Sequence, residues 1–156
     1  MGRTLVWTFL VISGLWFTAP SLAASTKVQD TSRHFYDRVM KEFKHGDYEA
    51  ALAGFRLFIE VHRQSALAAN AQYWIGECQY RLGRYQDALN SFYNVGSYNP
   101  VSPKLAASAF KIGQTYSRLG EYGKARLMFD RVLDQYSEGA EAQLARKALN
   151  VMPPQN

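Results

Sequence analysis

The chain is organised around a period of 37 residues. Gly46, Gly83 and Gly120 are spaced 37 residues apart, and each is followed two residues later by a tyrosine. The same spacing relates Ala51, Ala88 and Ala125, then Phe55, Phe92 and Phe129, and also Tyr36, Tyr73 and Phe110. A unit of this length cannot bury its apolar face alone, so three copies in series indicate units that stack on one another.

Each period is predicted to form two helices joined by a glycine turn. Phe35, Val39 and Phe43 recur at steps of four, which is the spacing of one helix face. A glycine such as Gly46 ends the first helix at low cost, because it adopts positive φ readily. Alanine and phenylalanine then form one stripe of the second helix, where the small alanine allows close approach. The pattern predicts helical hairpins.

The segments between hairpins carry helix start signals. Ser102 is placed to cap a first helix, Pro103 suits its first position, and Ser65 holds the same place one period earlier. A final helix over 141–149 is expected to cover the last hairpin with an apolar stripe of Leu144, Ala145, Ala148 and Leu149. The predicted fold class is therefore all-α: a solenoid of three helical hairpins of period 37 plus a C-terminal capping helix.

The first residues have the pattern of a secretory signal. Arg3 precedes an uncharged apolar run, and Ser21-Leu22-Ala23 forms a small-x-small cleavage site. No cysteine follows the run that could be acylated. We predict a signal peptide over 1–23, a flexible leader over 24–32, the repeat domain over 33–150 and a disordered tail over 151–156. The expected location is the periplasm, with no membrane insertion after cleavage.

Composition disfavours several kinds of chemistry. One cysteine and three well-separated histidines offer no metal-ligand spacing, and the carboxylates are scattered singly. No nucleophile, base and orienting group can be nominated, so we expect no cofactor, no metal and no enzymatic activity. The formal charge of +5 is spread along the chain rather than clustered, which argues against a nucleic-acid partner.

The repeat resembles the tetratricopeptide repeat, which is usually 34 residues long. A more specific resemblance rests on Ala71-Gln72-Tyr73-Trp74-Ile75-Gly76-Glu77, followed by Gly83-Arg84-Tyr85-Gln86-Asp87-Ala88. This run resembles the C-terminal repeat domain of the Tol-Pal-associated periplasmic proteins of the CpoB/YbgF family. That resemblance implies an adaptor that binds TolA and coordinates outer-membrane constriction with peptidoglycan synthesis during division, and it suggests a peptidoglycan synthase as a further partner.

Two other aspects of function stay open at this stage. Family members usually begin with a trimerising coiled coil, for which the predicted leader is too short, so the oligomeric state is not assigned. The alternative function is a module that binds peptidoglycan directly, or another envelope-assembly scaffold. Sugar rings would then stack on Trp74 and Tyr73, and the positive charge would suit an anionic polymer.

Projecting the repeat onto the chain places the partner-binding groove on the concave face, formed by first helices. The candidate residues are Tyr73, Trp74, Glu77, Tyr80, Arg81, Lys111, Gln114 and Arg118. Tyr73 and Phe110 fit packing between hairpins equally well. Trp74 is expected to lie outside the core, because its counterparts are Asp37 and Lys111, and replacing it should leave the melting temperature nearly unchanged. The row of Lys44, Arg81 and Arg118 suits either an acidic partner or solvated helix ends.

Overall fold

The computed structural model describes the backbone of residues 22–153 and the side chains of residues 31–153. That part of the chain contains helices and no strands. The helices are α1 (Leu22–His45), α2 (Tyr48–Val61), α3 (Ala68–Arg81), α4 (Tyr85–Tyr93), α5 (Lys104–Arg118), α6 (Tyr122–Gln135) and α7 (Ala140–Val151), with a short 3₁₀ helix, Asn94–Ser97, after α4.

Neighbours in sequence are neighbours in space. The pairs α1/α2, α3/α4 and α5/α6 form three hairpins, the second helix of each hairpin packs on the first helix of the next, and α7 packs on α6. The first helices also meet directly, since α3 contacts α5 and α5 contacts α7. The predicted all-α solenoid of three hairpins and a capping helix is confirmed.

The three glycine turns have the backbone that the period predicts. Gly46, Gly83 and Gly120 have φ values of 90°, 74° and 76°, and no other described residue has positive φ. The amide N–H of Gly46 donates to the carbonyl of Phe43 at 3.1 Å, which closes the last turn of α1. A side chain with a Cβ would be strained at these positions.

Each of the second and third hairpins is held by a phenylalanine ring that packs on a glycine. A Cβ at Gly76 would lie 2.6 Å from the Phe92 ring, and a Cβ at Gly113 would lie 2.6 Å from the Phe129 ring. Both rings are almost wholly buried. The absence of a side chain on the first helix therefore brings the two helix backbones close together.

In the first hairpin the two helix backbones also come close together, but the glycine lies on the second helix, α2, instead of on the first. Val39 stands at the position of Gly76, and it is accommodated by Gly54 on α2, where a Cβ would lie 2.7 Å from a Val39 methyl carbon. One period later the position of Gly54 is held by Ser91. The larger side chain of Val39, where the other hairpins have glycine, is thus compensated by the missing side chain of Gly54.

The two serines predicted as caps accept backbone hydrogen bonds just before the helices, but the N-cap positions belong to Leu67 and Pro103, and neither makes a side-chain cap. Pro103 was predicted at the first helical position and instead precedes α5, which begins at Lys104. The Ser65 Oγ accepts from the backbone N–H of Leu67 at 3.2 Å, and the Ser102 Oγ accepts from the N–H of Lys104 at 3.2 Å. The capping helix differs in detail from the expected stripe. Its fully buried residues are Ala142 and Ala145, whereas Leu144 is exposed, because α7 turns its alanine face toward α6.

The chain termini depart from the predicted boundaries. Helix α1 begins at Leu22 and so includes the predicted flexible leader over 24–32, because neither glycine nor proline interrupts residues 22–45. Residues 1–21 of the predicted signal peptide and residues 154–156 of the predicted tail lie outside the described residues. None of the described helices has the length and apolar character needed to span a bilayer.

The glycine–phenylalanine contact gives a first prediction. Replacing Gly76 with alanine should lower the free energy of unfolding by about 1–3 kcal/mol, because the new methyl group overlaps the Phe92 ring. Gly123→Ala is the matched control, since nothing lies within 4 Å of a Cβ there. The control should be neutral or stabilising by up to about 1 kcal/mol. Urea unfolding monitored by circular dichroism measures both, and equal effects would contradict the packing argument.

Candidate functional site

Two rows of side chains meet where α3 and α5 lie side by side. Along α3, Tyr73, Glu77 and Tyr80 share one face at helical spacing. Along α5, the basic residues recur at steps of seven and form a row that faces them; they are Lys104, Lys111 and Arg118. We call these six residues, with Trp74, Arg81 and Gln114, the first-helix face. Its chemistry is aromatic and cationic.

The first contact between the rows is made by Lys104. Its Nζ lies 4.9 Å from the centroid of the Tyr73 ring and 5.7 Å from that of Trp74. A cation above an aromatic ring is attracted by the negative face of the ring. Lys104 therefore extends the site to the start of α5, beyond the residues predicted from the sequence. The available signal was its spacing of seven residues from Lys111.

The second contact is a largely buried ion pair. Lys111 Nζ lies 2.8 Å from Oε1 of Glu77 and 3.0 Å from its Oε2, and the Glu77 side chain is only 5% exposed. The Lys111 ammonium donates its hydrogen bond to Oε2 of Glu77. Oε1 is within ionic contact of the same ammonium but accepts no hydrogen bond from any described group. Lys111 Nζ also lies 5.1 Å from the Tyr80 ring centroid.

The Glu77 carboxylate has a further neighbour in Tyr73. Burial raises the pKa of the Tyr73 hydroxyl well above its usual value, and the negative charge of Glu77 raises it further. The tyrosine therefore stays protonated across physiological pH. The floor of the first-helix face is thus a neutral phenol beside a compensated carboxylate. The negative charge of Glu141, in the first turn of α7, also acts on Tyr73, and the cations of the face without an ion pair to a described residue are Lys104, Arg81 and Arg118.

The third contact joins Arg118 to Tyr80. The Arg118 Nε donates a hydrogen bond to the Tyr80 hydroxyl at 3.1 Å. Lys44, Arg81 and Arg118 lie in the last turns of α1, α3 and α5, where the helix dipole favours a positive charge. Arg81 also lies 5.9 Å from the Tyr48 ring centroid. The basic row combines helix-end stabilisation with exposed guanidinium groups.

The structure decides how the three nominated aromatic residues pack. Tyr73 and Phe110 are buried, at 8% and 7% exposure, and Tyr73 packs on Phe92 while Phe110 packs on Phe129. Both are therefore core residues, and these ring contacts lie within one hairpin rather than between neighbouring hairpins. Trp74 is partly buried, and its ring lies 4.7 Å from that of Phe43 in the preceding hairpin. The expectation that Trp74 lies outside the core is wrong, because α3 packs against the first hairpin as well as against α4 of its own hairpin.

The remaining candidates differ in their surroundings. Gln114 is partly buried and makes no hydrogen bond with any residue that the structure describes. Cys78 is fully buried, and burial raises the pKa of its thiol to about 12. This supports the inert interpretation of Cys78 over a redox role. Within residues 31–153, no group of histidine, cysteine and carboxylate side chains is placed to hold a metal ion.

Comparison with known families now identifies the repeat. Two tetratricopeptide-repeat models match the chain, one over residues 36–99 and the other over residues 107–139. Together with the three hairpins, these matches establish the fold as a tetratricopeptide-repeat solenoid. No curated protein matches the sequence significantly.

Solved structures of other repeat proteins share the fold at low sequence identity. The type III secretion translocator chaperone SycD of Yersinia enterocolitica is 15% identical with a TM-score of 0.70, and the match covers 86% of this chain and 99% of that one. SycD bound to a peptide of the translocator YopD is 16% identical, with a TM-score of 0.65 and coverage of 78% and 88%. The second repeat domain of human RPAP3, bound to an HSP70 peptide, is 17% identical, with a TM-score of 0.63 and coverage of 81% and 98%.

The ion pair of the first-helix face gives a stability prediction. Lys111→Ala should lower the free energy of unfolding by about 3 kcal/mol, because it leaves the Glu77 carboxylate buried without its counter-charge. The control is Arg84→Ala, which breaks an ion pair with Glu49 whose side chains are 45% and 61% exposed. That loss should be no more than about 1 kcal/mol. Urea unfolding at neutral pH compares the two, and equal losses would contradict the difference in burial.

The buried thiol gives a prediction about reactivity. The raised pKa of Cys78 leaves almost no thiolate at pH 8, and burial blocks access to the sulfur. Iodoacetamide should therefore modify the folded protein very slowly and the urea-unfolded protein quickly, as followed by mass spectrometry. Rapid modification of the folded protein at pH 8 would show that Cys78 is accessible.

Proposed function

We propose that this protein is an exported adaptor that binds an acidic segment of a partner protein along the first-helix face. The observation that carries the proposal is the row of Lys104, Lys111 and Arg118 beside the aromatic side chains of α3. Together the row and the rings offer positive charge and flat apolar surface along the same strip. Arginine, tryptophan and tyrosine are also the residue types that dominate binding energy at interfaces.

The charge balance of the strip favours an acidic partner. Glu77 is the one carboxylate among the first-helix face residues, and Lys111 neutralises it. The charges of Lys104, Arg81 and Arg118 remain without an ionic partner among the described residues. A carboxylate-bearing segment would compensate them, and charge-assisted hydrogen bonds are stronger than neutral ones. A basic partner would meet repulsion.

Peptide binding by similarly folded proteins supports a protein partner. SycD has been solved with a peptide of YopD, and the RPAP3 repeat domain has been solved with an HSP70 peptide. These likenesses concern the fold, and they do not identify the partner of this chain. They are consistent with an adaptor rather than an enzyme.

The particular partner follows from the family resemblance of the sequence. We propose TolA, and with it a role in coordinating outer-membrane constriction with peptidoglycan synthesis, because Ala71 to Glu77 and Gly83 to Ala88 resemble the CpoB/YbgF family. We also propose a periplasmic location, based on the signal-like pattern of residues 1–23. Export is checked by N-terminal sequencing of the periplasmic form, which should begin at Ala24.

A second candidate is direct binding to peptidoglycan. Its support is the partly buried Trp74 ring with the Lys104 ammonium beside it, since sugars stack on aromatic rings and the polymer is anionic. Tyr73 is too deeply buried to take part. Retention on purified sacculi without any added protein would favour this candidate. Retention only when a protein partner is present would favour the adaptor.

The adaptor proposal is tested by calorimetric titration with the periplasmic part of TolA. Lys104→Ala and Arg118→Ala should each weaken binding by about five- to tenfold, because each removes one cation that faces the partner. Binding should also weaken as salt rises, since exposed charges are screened. Arg131→Ala is the matched control on α6, away from the first-helix face, and should leave the affinity unchanged. Absence of binding to TolA would contradict the Tol-Pal assignment.

A further inference from the structure

A second concave site lies on another side of α3, between the first and second hairpins. It is an open cavity of about 260 Å³ formed by α2, α3, α4 and the segment that follows α4. Its apolar wall is made of Ile59, Ile75 and Tyr98. Gln72, Ile75 and Gln79 share one stripe of α3 that is distinct from the stripe carrying Tyr73, Glu77 and Tyr80.

The polar residues of the cavity are buried and only partly satisfied. The Gln72 Nε2 donates to the carbonyl of Ser91 at 3.0 Å, and the Ser91 hydroxyl donates to Gln79 Oε1 at 2.6 Å. Gln72 is 8% exposed and Gln79 is 4% exposed. No described group is bonded to Gln72 Oε1 or to Gln79 Nε2. Neither atom is fully shielded from solvent, so the cavity offers one acceptor and one donor that a ligand can reach, each on a residue more than nine-tenths buried.

The next hairpin interface fills the equivalent space with protein. One period later, Arg56 becomes Tyr93, Gln79 becomes Tyr116 and Ser91 becomes Met128. There the Tyr93 hydroxyl lies 3.4 Å from that of Tyr116 and 3.8 Å from the sulfur of Met128. The repeat thus closes this position with large side chains in one interface and leaves it open and polar in the other. The counterpart of Gln72 one period later is Ala109, so the later interface carries neither of the two glutamines.

The rim of the cavity carries positive charge. Arg56 lines it, and Arg63 lies 5.6 Å from the centroid of the Tyr98 ring. Neither arginine forms an ion pair with a described residue. A carboxylate entering the cavity would meet a guanidinium group and the free amide donor of Gln79. Guanidinium–carboxylate pairs are among the stronger polar contacts in proteins.

We propose that this cavity binds the C-terminal residue of a partner chain, with an aliphatic side chain and a free carboxylate. The carboxylate pairs with Arg56 and accepts from Gln79, the backbone N–H of the same residue donates to Gln72 Oε1, and the side chain rests on Ile59 and Ile75. A chain terminus supplies all three groups within one residue. The volume of about 260 Å³ lies just below the roughly 300–1,000 Å³ of sites for drug-sized ligands, which suits a ligand as small as one residue.

The probe for this site is N-acetyl-L-leucine, titrated into the full-length protein and followed by ¹⁵N–¹H NMR. The side-chain NH₂ signals of Gln72 and Gln79 should shift and saturate with a dissociation constant in the millimolar range, as expected for a ligand of this size. The indole signal of Trp74 should not move, because it belongs to the first-helix face. This readout keeps the site separate from the proposed adaptor function.

Two variants and one altered probe decide the outcome. Gln79→Tyr introduces the residue of the next interface and should abolish the shifts, while Arg56→Ala, an exposed residue that leaves the core intact, should weaken binding about tenfold. Arg131→Ala is the matched control and should bind as the parent does. The methyl ester of N-acetyl-L-leucine lacks the carboxylate and should bind at least about tenfold more weakly. Absent or unsaturable shifts, shifts unchanged in Arg56→Ala, an ester that binds as well as the acid, or movement of Trp74 instead would each overturn the proposal.

Discussion

The close approach of two helix backbones within each hairpin is the contact on which the rest of the structure depends. In the second and third hairpins a phenylalanine ring occupies the space left by a glycine, at Gly76 and Gly113. In the first hairpin the roles of the two helices are exchanged between Val39 and Gly54. The three hairpins therefore share a similar close approach although the small residue changes helix, and similar units can stack regularly.

Regular stacking places α3 beside α5, and this adjacency creates the first-helix face. Lys111 reaches Glu77, although the two residues are 34 positions apart rather than one full period. Arg118 reaches Tyr80 in the same way, across 38 positions. The contacts that define the face are thus made between different positions of the repeat. They depend on how neighbouring hairpins are offset, and one hairpin alone could not form them.

The repeats also differ from one another, and the clearest difference is in how the two interfaces between hairpins are filled. The interface between the second and third hairpins is closed by Tyr93, Tyr116 and Met128. In the preceding interface, Gln79 stands at the position of Tyr116 and Ser91 at the position of Met128. Both residues are buried, and they line an open cavity. Gln72 and Gln79 each form a hydrogen bond with Ser91, and neither has a buried polar atom that lacks a hydrogen-bond partner. A ligand for the cavity would explain why it persists.

The sequence alone determined the fold class and the three turns, and it located the starts of α3 and α5 to within a few residues but not that of α1, because glycine, serine and the apolar period act through local backbone chemistry. It also identified most of the first-helix face, since Tyr73 and Lys111 follow from the repeat. Only the tertiary structure decided which of those residues are buried. Trp74 packs against Phe43 of another hairpin, and Lys104 joins the site through Tyr73. Such contacts depend on the distance between helices that are far apart in sequence, and a periodic pattern contains no measure of that distance.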